Sequence, residues 1–305
     1  MAKKTLRIGT RPSDLALWQA RRVVALLCEA RPHVECDFVE VTTRGDWDRE
    51  TPLHLAGGVG FFVKGLELAL LDDEIDAAVH SLKDLPSRVP PGLALAAVPA
   101  RGNPRDALVS ASGAGLDDLP EGARVGTGSP RRKAQLLRHR PDLQVVGIRG
   151  NVDTRLEKLE GPEYDGVVLA AAGLERLGRE DAITEILEPA TMLPAAGQGS
   201  LAVEIRADDE QTRSLIAEVN HAPSWAAANA ERALMARLGA GCHVPAAAYA
   251  VADGDELWLR ALVASHDGQT VIRAEARGTA DHPRAIGYDA AEDLLARGAA
   301  ALLAT

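Results

Sequence analysis

The chain is poor in aromatic residues, in cysteine and in lysine. Of its 305 residues 46% are hydrophobic but only 3% are aromatic, so the core must be built from Ala, Leu and Val. The three cysteines, Cys28, Cys36 and Cys242, are odd in number and lack CxxC spacing. They therefore indicate neither a disulfide framework nor a cysteine zinc site, and no metal is expected. Six of the 34 basic residues are lysines, which makes arginine the usual cation.

Long apolar runs are also missing. No run approaches the ~18 residues of a membrane span, and the first segment, MAKKTLRIGT, lacks the apolar stretch of a secretion signal. We therefore expect a reduced, cytoplasmic protein with no membrane partner. The net charge of −10 argues against nucleic-acid binding, which usually goes with a basic domain.

Strand and helix patterns alternate along the first two thirds of the chain. LRIGT and VECDFVEVTT predict strands on either side of a helix over residues 12–30, where apolar residues recur at helical spacing. The alternation restarts after the Pro/Gly-rich VPARGNPRDA, and LPAAGQG marks a second crossing. This pattern predicts mostly parallel sheets with helices on both faces. Two such lobes joined by two crossings resemble the architecture of solute-binding proteins.

The composition changes after NHAPS. An alanine-rich helix follows, with Ser224 as its predicted N-cap and Gly239 as its stop. Asp-Gly turns at Asp253 and Asp267 then separate three antiparallel strands, and a last helix closes the chain.

The predicted fold class is α/β, with two type II periplasmic-binding-protein-like lobes and a small α+β C-terminal domain with a three-stranded antiparallel sheet. The expected first lobe is residues 1–99 with 200–217, the second lobe is 100–199, and the C-terminal domain is 218–305.

Two segments repeat one local pattern. RIGTRPSDLA and RVGTGSPRRKA each give a strand, a Gly-Thr pair, a Ser/Pro turn and a helix start. Free N–H groups and the positive end of the dipole make such a helix start receptive to anions. Each lobe is thus predicted to present one anion-receptive helix to a shared cleft.

The segment HSLKDLP places Lys83 beside Asp84 after a predicted strand, at the edge where open α/β sheets bind ligands. A partly desolvated aspartate there can act as a general acid and as counter-ion to a cationic intermediate. The alternative is a solvated turn with incidental charges.

Arginines follow several predicted strands. Arg11, Arg131 and Arg149 come at strand-to-helix junctions, and Arg132, Arg155 and Arg176 lie nearby in sequence. The guanidinium fork binds carboxylate or phosphate bidentately, and several forks in one cleft repel one another unless a polyanion neutralises them. The pattern favours a polycarboxylate or phosphorylated ligand over the alternative of scattered surface arginines.

Cys242 stands alone in ARLGAGCHVP, where it could fill space, act as a nucleophile or anchor a covalent group. A preceding helix C-terminus disfavours its thiolate. His243, its neighbour along an extended segment, points the other way and makes a poor partner. A nucleophilic role for Cys242 is therefore the weaker hypothesis.

Eight segments, taken together, resemble the porphobilinogen deaminase family in order and spacing from residue 6 to about residue 303. They are RIGTRPSDLALWQA, VTTRGDWD, HSLKDLP, RRKAQLLRHRPDL, IRGNVDTRLEKL, AAAGLERLG, LPAAGQG and LGAGCHVP. The resemblance implies a monomeric transferase that joins four porphobilinogen molecules head to tail, with release of ammonia, into hydroxymethylbilane. It also implies a dipyrromethane cofactor held by a thioether, which matches Cys242.

The resemblance further implies roles for individual residues. Asp84 matches the catalytic aspartate that assists ammonia loss and stabilises the cationic azafulvene. The residues matching those that hold the cofactor are Lys83, Asp84, Ser129, Arg131 and Arg132. The residues matching those that receive substrate and the growing chain are Arg11, Ser13, Arg149, Arg155 and Arg176.

Two segments depart from the family pattern. The family often reads GTSSLRR where this chain has GTGSPRR, which puts Gly128 and Pro130 in place of other residues. The family lid often reads GGKGLF, whereas this chain has GGVGFF, with Val59 in place of the lysine. The alternative function is a non-catalytic bilobal module for a polycarboxylate, which would need neither the Gly-Cys turn nor the Lys83–Asp84 pair.

Overall fold

The computed structural model describes residues 5–42, 63–241 and 244–304. The strands are β1 (Thr5–Thr10), β2 (Glu35–Glu40), β3 (Ala77–Ser81), β4 (Leu93–Ala97), β5 (Asp106–Ser110), β6 (Arg124–Gly126), β7 (Gln144–Val146), β8 (Gly166–Ala170), β9 (Glu185–Leu187), β10 (Leu201–Arg206), β11 (Ala246–Asp253), β12 (Glu256–Ala264) and β13 (Val271–Thr279). The helices are α1 (Asp14–Ala30), α2 (Lys64–Leu71), α3 (Pro130–His139), α4 (Val152–Leu159), α5 (Ala171–Arg176), α6 (Glu210–Ile216), α7 (Ala222–Leu238), α8 (Pro283–Ala296) and α9 (Ala299–Leu303).

Two five-stranded sheets share one topology. The first has the order β2-β1-β3-β10-β4 and the second the order β7-β6-β8-β5-β9. In each sheet a single strand, β10 or β5, runs antiparallel to both of its neighbours. That strand is the first one after the chain crosses from the other lobe, so the chain enters each sheet in the same way. The prediction of two mostly parallel α/β lobes is confirmed.

Helix α1 shows how the first sheet is covered. Its Ala20, Val23 and Leu27 are fully buried and recur at helical spacing, which puts them on one face of the helix. They share a core with Leu6 and Ile8 of β1. Because the chain has few aromatic side chains, short aliphatic residues fill the space between helix and sheet at the density of a protein interior.

The C-terminal part is a three-stranded antiparallel sheet, β11-β12-β13, packed against α7 and α8. The predicted Gly239 stop is confirmed, since this residue is the left-handed C-cap of α7 at φ 63°. The predicted Ser224 N-cap was wrong. His221 caps the helix, and the Ser224 hydroxyl instead accepts the Arg101 N–H at 2.9 Å. The competing acceptor at His221 therefore moved the helix start three residues earlier.

The exact domain boundaries given above stay a prediction. Within the described ranges, none of the helices combines the length and apolarity that crossing a bilayer would demand.

The carboxylate of Glu231 is the point where the lobes and the C-terminal part meet. It is fully buried on α7 and pairs with Arg101 of the first crossing at 2.7 Å. It also accepts the N–H of Gly197 in the second crossing at 2.6 Å and the N–H of Ala250 in β11 at 2.8 Å. Four donors from three parts of the chain thus converge on one side chain.

We predict that Glu231→Ala destabilises the protein by about 3–5 kcal/mol, because it leaves the largely buried Arg101 cation and two buried N–H groups without their carboxylate partner. Urea unfolding measures the loss. The matched control is Glu292→Ala, which removes an exposed pair with Arg237 and should cost less than about 1 kcal/mol. Equal losses in the two variants would contradict this account.

Candidate functional site

The Lys83–Asp84 pair lies on a short 3-10 turn, Leu82–Asp84, directly after β3. The second crossing packs against this turn at Gly197. Gly197 has φ +74°, and a Cβ there would lie 2.8 Å from the Leu82 side chain and 3.0 Å from the Lys83 nitrogen. Only glycine tolerates both the backbone angle and the close approach. The glycine of LPAAGQG therefore fixes the position of the turn relative to the crossing.

Asp84 and the start of α1 line one small pocket of about 60 Å³, together with Arg11, Ser13 and Gln19. Ser13 caps α1 by accepting the Ala16 N–H at 3.3 Å. The first of the two predicted anion-receptive helix starts thus lies beside the Lys83–Asp84 turn.

Asp84 itself is exposed. Successive side chains on a 3-10 turn spread about its axis. Because Leu82 is buried under the turn, the side chain two positions later is left to solvent.

The second helix start is built in the same way. Ser129 is the N-cap of α3 and accepts the Arg132 N–H at 3.4 Å, with Pro130 in the first helical position. Proline suits that position because the N–H of the first helical residue makes no bond within the helix, so its absence in proline costs nothing. The departure at Pro130 thus leaves the capped start in place.

Arg131 and Arg132 are both buried against Asp106, the first residue of β5. Arg131 Nη1 lies 2.7 Å from Asp106 Oδ2, and Arg132 Nη2 lies 2.7 Å from Oδ1. Gln198 of the second crossing donates to the same carboxylate at 2.9 Å. The sequence analysis missed Asp106. Its signal was the acid that opens the otherwise apolar strand DALV, since a carboxylate is seldom buried unless it is paired.

The charges of this region influence one another across the lobes. Burial alone raises the pKa of Asp106, but the Arg131 and Arg132 charges outweigh it and hold that pKa well below its ordinary value. Burial lowers the pKa of Lys83 to about 8; the Asp84 charge opposes this shift, and the Arg132 charge adds to it. The arginine charges of the second lobe therefore lower the pKa of Lys83 in the first lobe.

The same electrostatic interactions reach Arg155 on α4. Burial, followed by the charges of Arg132 and Arg149, lowers the pKa of Arg155. Arg155 also donates from Nε to the Gly150 carbonyl at 2.9 Å. The interacting cations are Lys83, Arg131, Arg132, Arg149 and Arg155, and the carboxylates among them are Asp84 and Asp106.

Arg176 lies apart from that group, at the junction of the lobes. Its guanidinium carbon is 5.6 Å from the centre of the Trp18 ring on α1, and its Nη2 donates to the Gly199 carbonyl at 2.6 Å. Burial lowers its pKa. The structure thus brings Arg11, Ser13 and Asp84 together and links Lys83 to the α3 and α4 arginines. Arg176 contacts α1 and the second crossing instead.

Three residues named above, Cys242, His243 and Val59, lie outside the described residues. Gly241 and Val244 flank this gap, and the Val244 N–H donates to the Gly241 carbonyl at 3.3 Å. The Gly-Cys turn therefore stays a prediction in structural terms.

Two lobes whose described residues share an excess of cations are suited to a receptor or an enzyme for a polyanion. The match to a known family narrows this class. The model for the dipyrromethane cofactor-binding domain of porphobilinogen deaminase matches residues 6–214, and the model for the C-terminal domain of the same enzyme matches residues 225–296. The chain belongs to the porphobilinogen deaminase family. It is a transferase of tetrapyrrole biosynthesis that builds hydroxymethylbilane from four porphobilinogen molecules and uses a dipyrromethane cofactor.

Solved structures of solute-binding proteins are more distant. A periplasmic binding protein of Salmonella typhimurium with high arginine specificity is 14% identical, over 71% of this chain and 91% of that one, with a TM-score of 0.42. A lipoprotein of the YaeC family from Enterococcus faecalis is also 14% identical, over 71% and 90% of the two chains, with a TM-score of 0.43. No statement about ligands follows from similarity this remote.

We predict that the Lys83 amine of the cofactor-free protein titrates near pH 8, against an ordinary lysine pKa of 10.5. NMR of reductively dimethylated lysines, with Lys83→Arg as the assignment variant, measures the titration. Because the Asp106 charge raises the pKa of Lys83, Asp106→Asn should lower it further. Titration of Lys83 at its ordinary value, or an upward shift in Asp106→Asn, would contradict this account.

Proposed function

We propose that Cys242 carries the dipyrromethane and that the interacting cations of the two lobes hold its carboxylates. The observation that carries the proposal is the surplus of positive charge between the lobes. Among the described residues, Arg131 and Arg132 share the single carboxylate of Asp106, and Lys83 and Arg155 add to the same field. An acidic protein with a net charge of −10 gains nothing from such a cluster unless an anion compensates it.

The residues present fit the cofactor. Arg131 Nε is buried and has no hydrogen-bond partner among the described residues, so the pair with Asp106 leaves a donor unused. A buried unpaired donor is costly and is usually matched by a partner in the working state. We assign Lys83, Ser129, Arg131 and Arg132 to the cofactor's acetate and propionate groups, and Asp84 to the same binding site. When bound, the dipyrromethane supplies the nucleophilic pyrrole carbon from which the chain grows.

Asp84 is assigned the proton transfer that releases ammonia. Its position in the pocket beside Arg11 and Ser13 supports this role, as does its carboxyl chemistry. The acid gives its proton to the leaving amine, and the resulting carboxylate then faces the cation that the amine leaves behind. Because Asp84 is exposed, solvent can return the proton before the next cycle.

Arg11, Ser13, Arg149, Arg155 and Arg176 are assigned to the incoming substrate and the growing chain. Each added pyrrole brings two carboxylates, so the need for cations rises with every step. Arg155 and Arg176 are half-buried, and burial lowers the pKa of each. Charge-assisted hydrogen bonds from such groups are worth about 1.5–3 kcal/mol each.

The enzyme is accordingly a hydroxymethylbilane synthase of the alkyl/aryl transferase class. Its cytoplasmic location and monomeric state stay predictions. The alternative, a binding module without catalysis, has no specific observation in its favour.

We predict that the purified protein exceeds the mass of the bare chain by one dipyrromethane, with the excess on the Cys242 peptide, and that Cys242→Ser removes it. Intact-mass and peptide mass spectrometry test this. Cys28→Ser and Cys36→Ser are the matched controls, since both are free cysteines and burial raises the pKa of Cys36 to about 11. An excess that persists in Cys242→Ser would reject the attachment site.

We predict that Asp84→Ala leaves the fold intact, because the residue is exposed, yet slows ammonia release by about a hundredfold or more, as the loss of a general acid does. Ammonia release from porphobilinogen is the measurement, with circular dichroism as the check on folding. The control is Asp118→Ala, which removes another exposed carboxylate outside the cleft. Equal turnover in Asp84→Ala and the parent protein would remove Asp84 from its assigned role.

A further inference from the structure

A second cavity, of about 660 Å³, lies between the segment 87–95 of the first lobe and the helices α7 and α8. It shares no lining residue with the pocket of Arg11 and Asp84. We call it the Arg232 cavity, after the arginine of α7 that lines it. Its volume is within the range of small-molecule sites.

The charged lining of the Arg232 cavity has a single sign. Its charged residues are Arg88, Arg232, Arg237 and Arg284, and among the described residues no acidic side chain lines it. Arg237 is neutralised by Glu292 at 2.6 Å. The remaining three arginines have no carboxylate within ion-pair distance in the described part of the chain. Like charges gathered on one wall repel one another, and an anion in the cavity would relieve that repulsion.

Arg232 shows this imbalance most clearly. Its Nη2 donates to the Ser87 carbonyl at 3.2 Å, whereas its Nη1 is buried without a hydrogen-bond partner among the described residues. Burial lowers the pKa of Arg232, and the Arg284 charge lowers it further, while Glu204 opposes the shift. A desolvated guanidinium with an unused donor is suited to a carboxylate.

The uncharged lining combines two polar residues, Ser87 and Asn229, with apolar and aromatic ones. Val89 and Leu95 line the first-lobe side, alanines line the α7 side, and Trp225 and Tyr288 add two ring faces. Such walls favour a ligand with a flat apolar body over a small inorganic anion, because ring faces and aliphatic groups gain by covering apolar surface.

We propose that the Arg232 cavity is a second binding site, separate from the catalytic cleft, for an organic polycarboxylate whose carboxylates surround a flat apolar body. Arg88, Arg232 and Arg284 bind the carboxylates, and Trp225 and Tyr288 contact the body. The ligand bridges the first lobe and the C-terminal part.

The indole N–H resonances of the cofactor-loaded protein provide the test, with trimesate, a benzenetricarboxylate, as the probe and the corresponding neutral trialcohol as its control. Trp225 reports on the Arg232 cavity and is assigned with Trp225→Phe. Trp18, which contacts Arg176, reports on the junction near the cleft. Trp258, which donates to Glu275 at 3.0 Å, is a reference outside both. We expect trimesate to shift the Trp225 resonance and the trialcohol to leave it unchanged.

Arg232→Gln and Arg284→Gln should each weaken the binding seen at Trp225 by about tenfold or more, the loss expected for one charge-assisted contact. Arg22→Gln, an exposed site on α1, is the control for net charge and should bind as the parent does. Arg284 is exposed, so its variant remains informative even if Arg232→Gln fails to fold. A shift at Trp18 alone, an equal response to the trialcohol, or parent-like binding in Arg284→Gln would overturn the proposal.

Discussion

The architecture depends on one buried carboxylate, that of Glu231. Its fully buried position on α7 receives a cation from the first crossing and backbone donors from the second crossing and from β11. Each partner alone would be left with unmatched polarity in the interior, so the four groups stabilise the assembly only together. This arrangement explains how an alanine-rich helix with few large side chains can hold the C-terminal part against the lobes.

A similar principle governs the cleft, with a different balance. At Glu231 one acid satisfies one cation and two N–H groups, whereas at Asp106 one acid serves two arginines and Gln198. The Asp106 cluster is fixed by its hydrogen bonds but has one more positive than negative charge. Asp106 therefore orients Arg131 and Arg132 without neutralising both, and we propose that the remaining positive charge binds the carboxylates of a polyanion. The family's substrate, whose every unit carries two carboxylates, matches that surplus.

Much of the fold could be predicted from the sequence, because it depends on local patterns. The repeated strand, Gly-Thr and Ser/Pro turn gave both capped helix starts, and Gly239 marked the end of α7. What could not be predicted depends on distant partners. Ser224 is a good N-cap by composition, but His221 displaced it and its hydroxyl found Arg101. The role of Asp106 was hidden for the same reason, since its partners lie 25, 26 and 92 residues away. The exposure of Asp84 depends on Leu82 being buried beneath the turn, which no spacing rule indicates.

The contact between the two crossings has a mechanical consequence. Gly102 donates its N–H to the Gly199 carbonyl at 3.1 Å, and a Cβ at Gly199 would lie 2.8 Å from the Gly102 and Asn103 carbonyl oxygens. The two crossings are therefore joined by a hydrogen bond and by a close backbone contact, and sliding one along the other would break both. We expect the lobes to open and close about this contact while keeping their alignment. Lys83 and Arg132, which lie on different lobes, would then keep their relative position along the cleft.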